Sequence, residues 1–472
     1  MHPRASVVSR RTLLQSSALA LAGGFTTSAH GRAAAQSLRC ASFRADVTPP
    51  LGHPTIGGSW RPAVGVDDPL SALGFVLLGG DRPIVVACLD WCELRNETYL
   101  AWREALAEAV ETTVDHVLLS CVHQHDAPYV DTGAQRILDA VGAGRAFCDP
   151  WFDRIARQRT AEAIERALDS ARPLTHIGLG QAEVRGIASS RRVLKPDGTP
   201  YFGRYSTCAD PRLRAQPEGE IDPLLKTITL YDGDQSLVTL HAYAVHPMSP
   251  YGRGVISGDF VGLARARRQA SAGDSLQIYA TGCSGDVTAG KFNDGSPGVR
   301  ARLADALHDA MVRSERSTAR YAIDQLAARS LETVLPFWNG PGLDRESMMR
   351  RAADDKVTFG RRVDGALGLS SLGFNTRDGR ADGHHVLLQT LQIGPASLAL
   401  FPAESFVAFQ RAVQAAAPDE FTLCIGFGEC APGYIPTRQA VQEGFREEHG
   451  YCWVDETSEE RIVGGMNKLL KR

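Results

Sequence analysis

The stretch Val117–Asp131, VLLSCVHQHDAPYVD, combines an apolar run with two closely spaced histidines. Its apolar beginning is typical of a buried strand in a mixed or parallel sheet. His123 and His125 follow at the end of that run. Since residues two apart on a strand project to the same side, both imidazoles can face one point. Such a pair at the carboxyl end of a strand indicates a zinc or iron site, although two solvated histidines in a polar turn would have the same spacing.

Length and composition are those of an ordinary globular protein with a sizeable core. The chain has 472 residues, of which 43% are hydrophobic and 22% charged. This length allows up to three average domains or one large catalytic domain. A net charge of −3 argues against nucleic-acid binding, which requires a clustered basic surface. We expect no transmembrane segment, because no apolar run reaches about 18 residues. The sequence does not indicate an oligomeric state.

Residues 1–35 have the three parts of an export signal. SRRTLL, starting at Ser9, is a twin-arginine pattern, a short apolar run follows, and Ala33-Ala34-Ala35 offers a small-residue cleavage site. The segment contains four arginines and no acidic residue, which leaves residues 36–472 with a net charge of −7. We therefore predict a twin-arginine signal peptide, a domain over 36–472, and a periplasmic or secreted bacterial protein. A disordered basic tail is the other interpretation.

The ten cysteines would then lie in a compartment that permits disulfides. They form no CxxC pair, which argues against a zinc ribbon. Cys430 and Cys452 flank a loop-like stretch and are the candidates for a disulfide. Others, such as Cys88 and Cys121, lie within apolar runs and are expected to be buried thiols.

The order of predicted elements favours one continuous α/β domain of several layers. Apolar strands alternate with amphipathic helices, residues 174–245 are rich in strands, and no internal repeat is evident. Residues 358–384 are polar and contain several glycines, which predicts a surface loop. A final helix is predicted over Thr457–Leu470, with Thr457 and Glu460 spaced as a capping box.

Polar residues with ligand chemistry recur where apolar strands end. The end of an open α/β sheet at which its strands terminate is where such proteins place ligands. Two imidazoles, one carboxylate and an open water position form a hydrolytic zinc shell. The candidates are His123 with His125, His246, the turn around Asp286, Glu404, and Tyr434 in a late loop.

Six stretches, in the same order, resemble the catalytic domain of neutral/alkaline (non-lysosomal) ceramidases and their bacterial relatives. They extend over roughly residues 40–440. The stretches are ASFRADVTPPLG (41–52), SCVHQHDAP (120–128), AYAVHP (242–247) with VISGDFVG (255–262), TGCSGDVTAG (281–290), LALFPAES (398–405) and APGYIPT (431–437).

The resemblance implies a set of metal ligands and a multi-layer mixed-sheet fold. His123 matches the first zinc-binding histidine of the family, and His246 matches the second. Glu404 matches the ligand carboxylate, and Tyr434 matches the ligand tyrosine. The chain ends without a stretch for the immunoglobulin-like domain that follows in ceramidases.

The resemblance also implies catalytic residues, with departures from the family pattern. His125 matches the histidine over the substrate carbonyl, and Arg191 matches a substrate-contacting arginine, although Ser190 replaces the usual Asn. Thr288 stands where the ceramidases have an active-site serine. The late tyrosine of the family has no clear match, and Phe445 is the nearest aromatic residue.

Three further carboxylates belong to these motifs. Asp259 and Asp286 either orient the ligand imidazoles or cap backbone segments, and both interpretations remain open. Asp126 replaces part of the family's Ser-Gly and is expected to alter the charge that a substrate meets.

The sequence thus favours a zinc-dependent hydrolase of N-acyl amide bonds, whose substrate is a small molecule or is lipid-like. An exported non-catalytic binding protein with the same fold is the alternative. An amidohydrolase barrel is disfavoured by the strand-rich segment 174–245. A metallo-β-lactamase is disfavoured because Asp126 follows His125 directly.

Overall fold

A computed structural model of the chain describes residues 37–57, 60–323, 325–380 and 382–471. The predicted signal peptide over residues 1–35 lies outside these residues. Within them, no helix combines the length and the apolar character needed to cross a membrane.

The longer strands and the helices alternate along much of the chain. Strands β1 to β13 are, in order, Arg39–Asp46, Ser71–Leu78, Ile84–Leu89, Val117–Cys121, His176–Glu183, Leu224–Asp232, Gln235–Tyr243, Leu276–Thr281, Ala319–Ala322, Leu326–Leu335, His384–Ile393, Ala396–Leu400 and Phe421–Ile425. Helices α1 to α12 are Asn96–Glu108, Thr132–Ala140, Pro150–Leu168, Pro211–Ala215, Asp259–Ala270, Val299–Arg316, Arg345–Ala353, Phe359–Asn375, Val407–Ala416, Arg438–Gln442, Phe445–His449 and Ser458–Leu470.

The strands form three mixed sheets, and each sheet contains one parallel pair. The first sheet has the order Arg172–Pro173, β1, β2, β3, β4, with β3 and β4 parallel. The second has the order β8, β7, β6, β5, β9, with β7 and β8 parallel. The third has the order β10, β11, β12, β13, with β12 and β13 parallel. This architecture confirms the predicted multi-layer mixed-sheet α/β fold.

One hydrophobic core is shared by the three sheets. Phe75 of the first sheet, Leu240 of the second and Leu398 of the third all belong to it. The opposite face of the first sheet is also covered, since Ala72 and Val76 of β2 pack in a separate core that includes residues of α1, α2, α3, α7 and α8. Strands buried on both faces have continuous apolar sequences, which explains the run SALGFVLL in β2.

Hydrogen bonds join the three sheets where their parallel pairs end. The Thr281 hydroxyl at the end of β8 donates to the Val122 carbonyl after β4 at 2.6 Å. The Cys121 amide donates to the Phe427 carbonyl after β13 at 2.9 Å, and the Gly426 amide donates to the Thr281 carbonyl at 2.8 Å. The carboxyl ends of the three parallel pairs are therefore fixed against one another.

Two local predictions are wrong. Most of the predicted loop over 358–384 is helix α8, which buries Val363, Ala366 and Leu367. These apolar positions have helical spacing, and the surrounding glycines and serines obscured it. The predicted capping box at Thr457 does not form, because the Thr457 hydroxyl donates to the Asp455 carboxylate at 2.6 Å.

The predicted pair of Cys430 and Cys452 is also wrong. All ten cysteines are free thiols and all are buried. The Cys430 thiol donates to the Gly428 carbonyl at 3.2 Å, and the Cys452 sulfur accepts from the Arg446 guanidinium at 3.4 Å. Each sulfur thus has a polar partner of its own.

Asp153 in α3 gives a pH-dependent test of the packing between helices. It accepts the indole N–H of Trp102 at 2.7 Å, and burial raises the pKa of Asp153 to about 6. An unfolded carboxyl titrates near pH 4, so the folded protein loses stability as the pH rises from about 4 to about 6. We expect Asp153→Asn to raise the free energy of unfolding at pH 8 by about 1–2 kcal/mol, with the gain vanishing below pH 4.

Urea unfolding of both proteins at pH 4 and pH 8 measures this difference. Asp169→Asn, at an exposed residue just after α3, is the matched control and should have little effect at either pH. An effect of Asp153→Asn that is equal at the two pH values would contradict the raised pKa.

Candidate metal centre

His123 lies directly beyond β4 and has a constrained position. Its backbone is left-handed, with φ of +69°, and its amide donates to the Trp91 carbonyl at 2.9 Å. The imidazole stacks on the Phe427 ring at 4.2 Å with an interplanar angle of 20°. Its Nδ1 lies 3.1 Å from the Cys92 carbonyl. Because a carbonyl only accepts hydrogen bonds, Nδ1 carries a proton, and in the neutral ring Nε2 presents a lone pair.

His246 repeats this arrangement from the second sheet. It follows the segment after β7, and its amide donates to the Val287 carbonyl at 2.9 Å. Its Nδ1 lies 2.6 Å from the Ser284 carbonyl, which again leaves the lone pair on Nε2. Burial lowers the pKa of His246 to about 4, so its ring is neutral at pH 7.

Glu404 brings a carboxylate to the two imidazoles from the third sheet. Its Oε2 lies 3.0 Å from Nε2 of His246 and 3.5 Å from Nε2 of His123. The three side chains are buried, with exposures of 1% to 5%, and one ligand atom from each lies within 4.8 Å of the others. Burial alone would lower the pKa of His123, but the charges of Glu404 and Glu93 raise it.

These contacts fit a bound divalent cation. The Nε2 lone pair of His246 points at a carboxylate oxygen, so two hydrogen-bond acceptors face each other in a buried place. Such an arrangement is unfavourable unless a positive charge lies between the acceptors. Two imidazole nitrogens and one carboxylate oxygen are a ligand set that zinc accepts. The carbonyls on the two Nδ1 atoms supply the outer hydrogen bonds that orient metal-bound imidazoles.

Tyr434 lies beside this group. The short strand Glu404–Ser405 pairs in parallel with Tyr434–Ile435, so that Glu404 and Tyr434 are direct neighbours. The Tyr434 ring is roughly parallel to the His246 ring at a centroid distance of 6.3 Å. The predicted fourth ligand is thus next to Glu404 and His246.

Arg191 reaches the same place from the Ser189–Ser190 strand. Its Nη2 donates to the Tyr434 hydroxyl at 3.2 Å, and its amide donates to the Asp286 carbonyl at 2.7 Å. The side chain is 5% exposed and its buried Nε has no partner. Within the described residues no carboxylate forms an ion pair with Arg191, so its positive charge is available to a ligand.

His125 lies beside His123. The two rings are 5.9 Å apart, and the Tyr251 ring is 5.4 Å from His125. Nδ1 of His125 is buried without a hydrogen-bond partner. Burial, followed by the charges of His123 and His246, lowers the pKa of His125 well below its usual value. His125 is therefore a neutral imidazole with a polar atom available.

The three predicted outer carboxylates bind backbone amides. Asp126 accepts the amides of Gly254 at 2.9 Å and Arg253 at 3.3 Å, and is 1% exposed. Asp259 accepts the Ser249 amide at 2.9 Å. Asp259 therefore fixes the segment that follows His246, and Asp126 holds the backbone of Arg253 and Gly254.

Asp286 and Thr288 are built into the turn that follows β8. Asp286 accepts the amide of Val407, at the start of α9, at 2.9 Å. The Thr288 hydroxyl donates to the Arg204 carbonyl at 3.2 Å and accepts the Gly290 amide at 3.1 Å. In the part of the chain with described coordinates, no hydrogen bond joins Thr288 to the two imidazoles or to Glu404.

Several residues around the imidazoles were not predicted from sequence. Cys92 and Glu93 follow β3, with the Cys92 sulfur 3.6 Å and a Glu93 oxygen 3.8 Å from Nδ1 of His123. Glu93 could have been predicted, because it is a polar residue that follows an apolar strand. His449, whose ring is 5.6 Å from the Tyr434 ring, lies in a predicted loop and gives no such signal.

Comparison with known proteins supports the fold. No protein-family model matches the chain, and no curated protein matches it. Two solved structures match at a TM-score of 0.64 and 17% identity over 92% of this chain. They are a ceramidase complexed with C2, of which 75% is covered, and neutral ceramidase from Pseudomonas aeruginosa, of which 74% is covered. The chain therefore has the neutral ceramidase fold, as the sequence resemblance predicted.

The ligand set predicts the metal content of the protein. We expect about one zinc per chain after equilibration with zinc and desalting, as in other sites with such ligands. His246→Ala should lose most of this zinc, because it removes one of three buried ligands. Elemental analysis measures the content.

His308→Ala, at a half-exposed histidine on α6, is the matched control and should keep the metal. Equal zinc in the native protein and in His246→Ala would show that the metal binds elsewhere.

Proposed function

We propose that the chain is an exported zinc-dependent hydrolase of amide bonds in N-acyl compounds. The observation that supports this most strongly is the convergence of two imidazole Nε2 atoms from different sheets on one oxygen of Glu404. The two similar structures carry the titles of ceramidases, which adds a precedent for this chemistry on this fold.

His123, His246 and Glu404 would hold the zinc, with Tyr434 as the fourth candidate ligand. Bound zinc supplies Lewis acidity, which activates water and polarises a carbonyl at neutral pH. The carbonyls of Cys92 and Ser284 hold the two imidazoles in the tautomer that leaves Nε2 available. Rigid placement of these rings reduces the reorganisation needed when substrate binds.

His125 and Arg191 would stabilise the negative charge that develops on the amide oxygen. A neutral imidazole donates one N–H, and the His125 ring lies 5.9 Å from the His123 ring. The guanidinium of Arg191 brings a buried positive charge next to the Tyr434 hydroxyl. Donors positioned in a dry site stabilise such a charge strongly. The Thr288 hydroxyl is engaged by the Arg204 carbonyl and the Gly290 amide, so Thr288 would act by holding the turn in place and not on the substrate.

The proposed substrate is a small-molecule or lipid-like N-acyl compound. The amide is the chemical group that the ceramidase precedent indicates. Asp126 is buried and both its oxygens accept backbone amides, so it would not contact the substrate directly.

Hydrolysis of N-acyl compounds tests the proposal. We expect the zinc-loaded protein to release fatty acid from members of an N-acyl amide library, measured by mass spectrometry. His125→Ala should lower kcat by roughly 10²–10³, as the loss of an oxyanion donor does elsewhere, while zinc content stays constant.

His116→Ala, at a partly exposed histidine of the short helical turn Val114–His116, is the control and should retain activity. A protein that binds zinc but hydrolyses no N-acyl compound would support the alternative of a non-catalytic binding protein.

Export is tested separately, since it depends on residues 1–35 alone. The change of Arg10 and Arg11 together to Lys should retain the protein in the cytoplasm, because twin-arginine export depends on that pair. Immunoblots of cytoplasmic and periplasmic fractions measure its distribution. Arg4→Lys is the matched control, and periplasmic protein from the double variant would contradict the prediction.

A further inference from the structure

The segment that follows β3 runs beside the segment that carries His123. The His123 amide donates to the Trp91 carbonyl at 2.9 Å. Two residues further along, the short strand Glu93–Leu94 pairs in parallel with the strand Tyr129–Val130. These backbone contacts fix the side chain of Glu93 next to the imidazole of His123.

Two groups of this segment face Nδ1 of His123. The Cys92 carbonyl lies 3.1 Å from this nitrogen and accepts its N–H. Oε1 of Glu93 lies 3.8 Å from the same nitrogen, and both side chains are buried. The other ring nitrogen, Nε2, faces Glu404 at 3.5 Å. Because the two nitrogens of an imidazole point away from each other, Glu93 approaches the ring from the side opposite Glu404 and is not a further ligand in its place.

A buried arginine holds the carboxylate of Glu93. Nη1 of Arg95 donates to Oε2 of Glu93 at 3.1 Å and to the Tyr129 hydroxyl at 2.7 Å. Burial and the charge of Glu404 raise the pKa of Glu93, whereas the charge of Arg95 and a hydrogen bond from the Tyr129 hydroxyl lower it. A guanidinium stays charged when it is buried, so the ionised carboxylate is the form of Glu93 that balances it.

The ion pair with Arg95 does not account for the whole placement of Glu93. It uses Oε2 and leaves Oε1 directed at His123. Arg95 has further partners in the Ala431 carbonyl, at 2.7 Å, and in the Trp453 ring, at 4.6 Å. A role confined to the ion pair would make Glu93 matter for the stability of the fold and not for the binding of a metal.

We infer that Glu93 is a positioning residue that acts through His123 and strengthens the affinity of the candidate centre for zinc. A carboxylate beside Nδ1 polarises the N–H bond of the ring and makes Nε2 a better donor to a metal. Its negative charge also attracts a cation across the ring, in surroundings that water screens poorly. This inference rests on the zinc binding that is part of the proposed function, and it does not require that the protein hydrolyses an amide.

Competition with a chromophoric chelator at neutral pH measures the zinc affinity of the protein without any substrate. We expect Glu93→Gln, which removes the charge at constant size, to weaken zinc binding by roughly ten-fold or more, as the loss of such outer partners does elsewhere. Glu93→Asp keeps the charge and should retain more affinity. Glu97→Gln is the matched control and should bind zinc as the native protein does, because Glu97 pairs with Arg136 and the Thr132 hydroxyl, each at 2.7 Å.

Urea unfolding of the metal-free proteins separates zinc affinity from stability. Glu93→Met, a second neutral variant of similar length, carries the test if Glu93→Gln does not fold. Zinc affinity equal to that of the native protein in a folded neutral variant would overturn the inference and leave the proposed hydrolase intact. An equal loss in Glu93→Asp and Glu93→Gln would also overturn it, because packing and not charge would then be the cause. Native protein that binds no zinc would overturn both, whereas a zinc-binding protein without hydrolysis would contradict the proposed function alone.

Discussion

The contact on which the candidate centre depends is the approach of two imidazole nitrogens to one carboxylate oxygen. Each of the three side chains comes from a different sheet, just beyond the carboxyl end of a parallel strand pair. The backbone hydrogen bonds around Thr281, Cys121 and Gly426 hold those ends together. The site therefore lies at the junction of the sheets, and its geometry depends on that junction.

Much of this could be predicted from the sequence, because the candidate ligand residues share a simple pattern. His123, His246 and Glu404 each follow an apolar strand, and their motifs occur in the order of a known family. The α/β class could also be predicted, because strands that are buried on both faces have continuous apolar runs. Both the strands and the polar residues that follow them can be recognised within short stretches of sequence.

What could not be predicted depends on contacts between distant residues. The carbonyls of Cys92 and Ser284 orient the imidazoles, but every residue has a carbonyl and no pattern marks these two. Helix α8 was mistaken for a loop because its apolar side is narrow and rich in small residues. The roles of Asp126 and Asp259 as acceptors of backbone amides likewise depend on loops that the chain brings together from afar.

The left-handed backbone at His123 has a consequence for the stability of the sheet junction. Ala403 and Phe427, which adjoin the same group, also have positive φ, of +47° and +57°. A side chain in this conformation costs the folded chain about 1 kcal/mol or more relative to glycine. Burial of the Phe427 side chain, which is 0% exposed and stacks on His123, outweighs this cost, whereas Ala403 has only a methyl group to bury. The junction is thus a place where the position of side chains outweighs the conformational cost of the backbone.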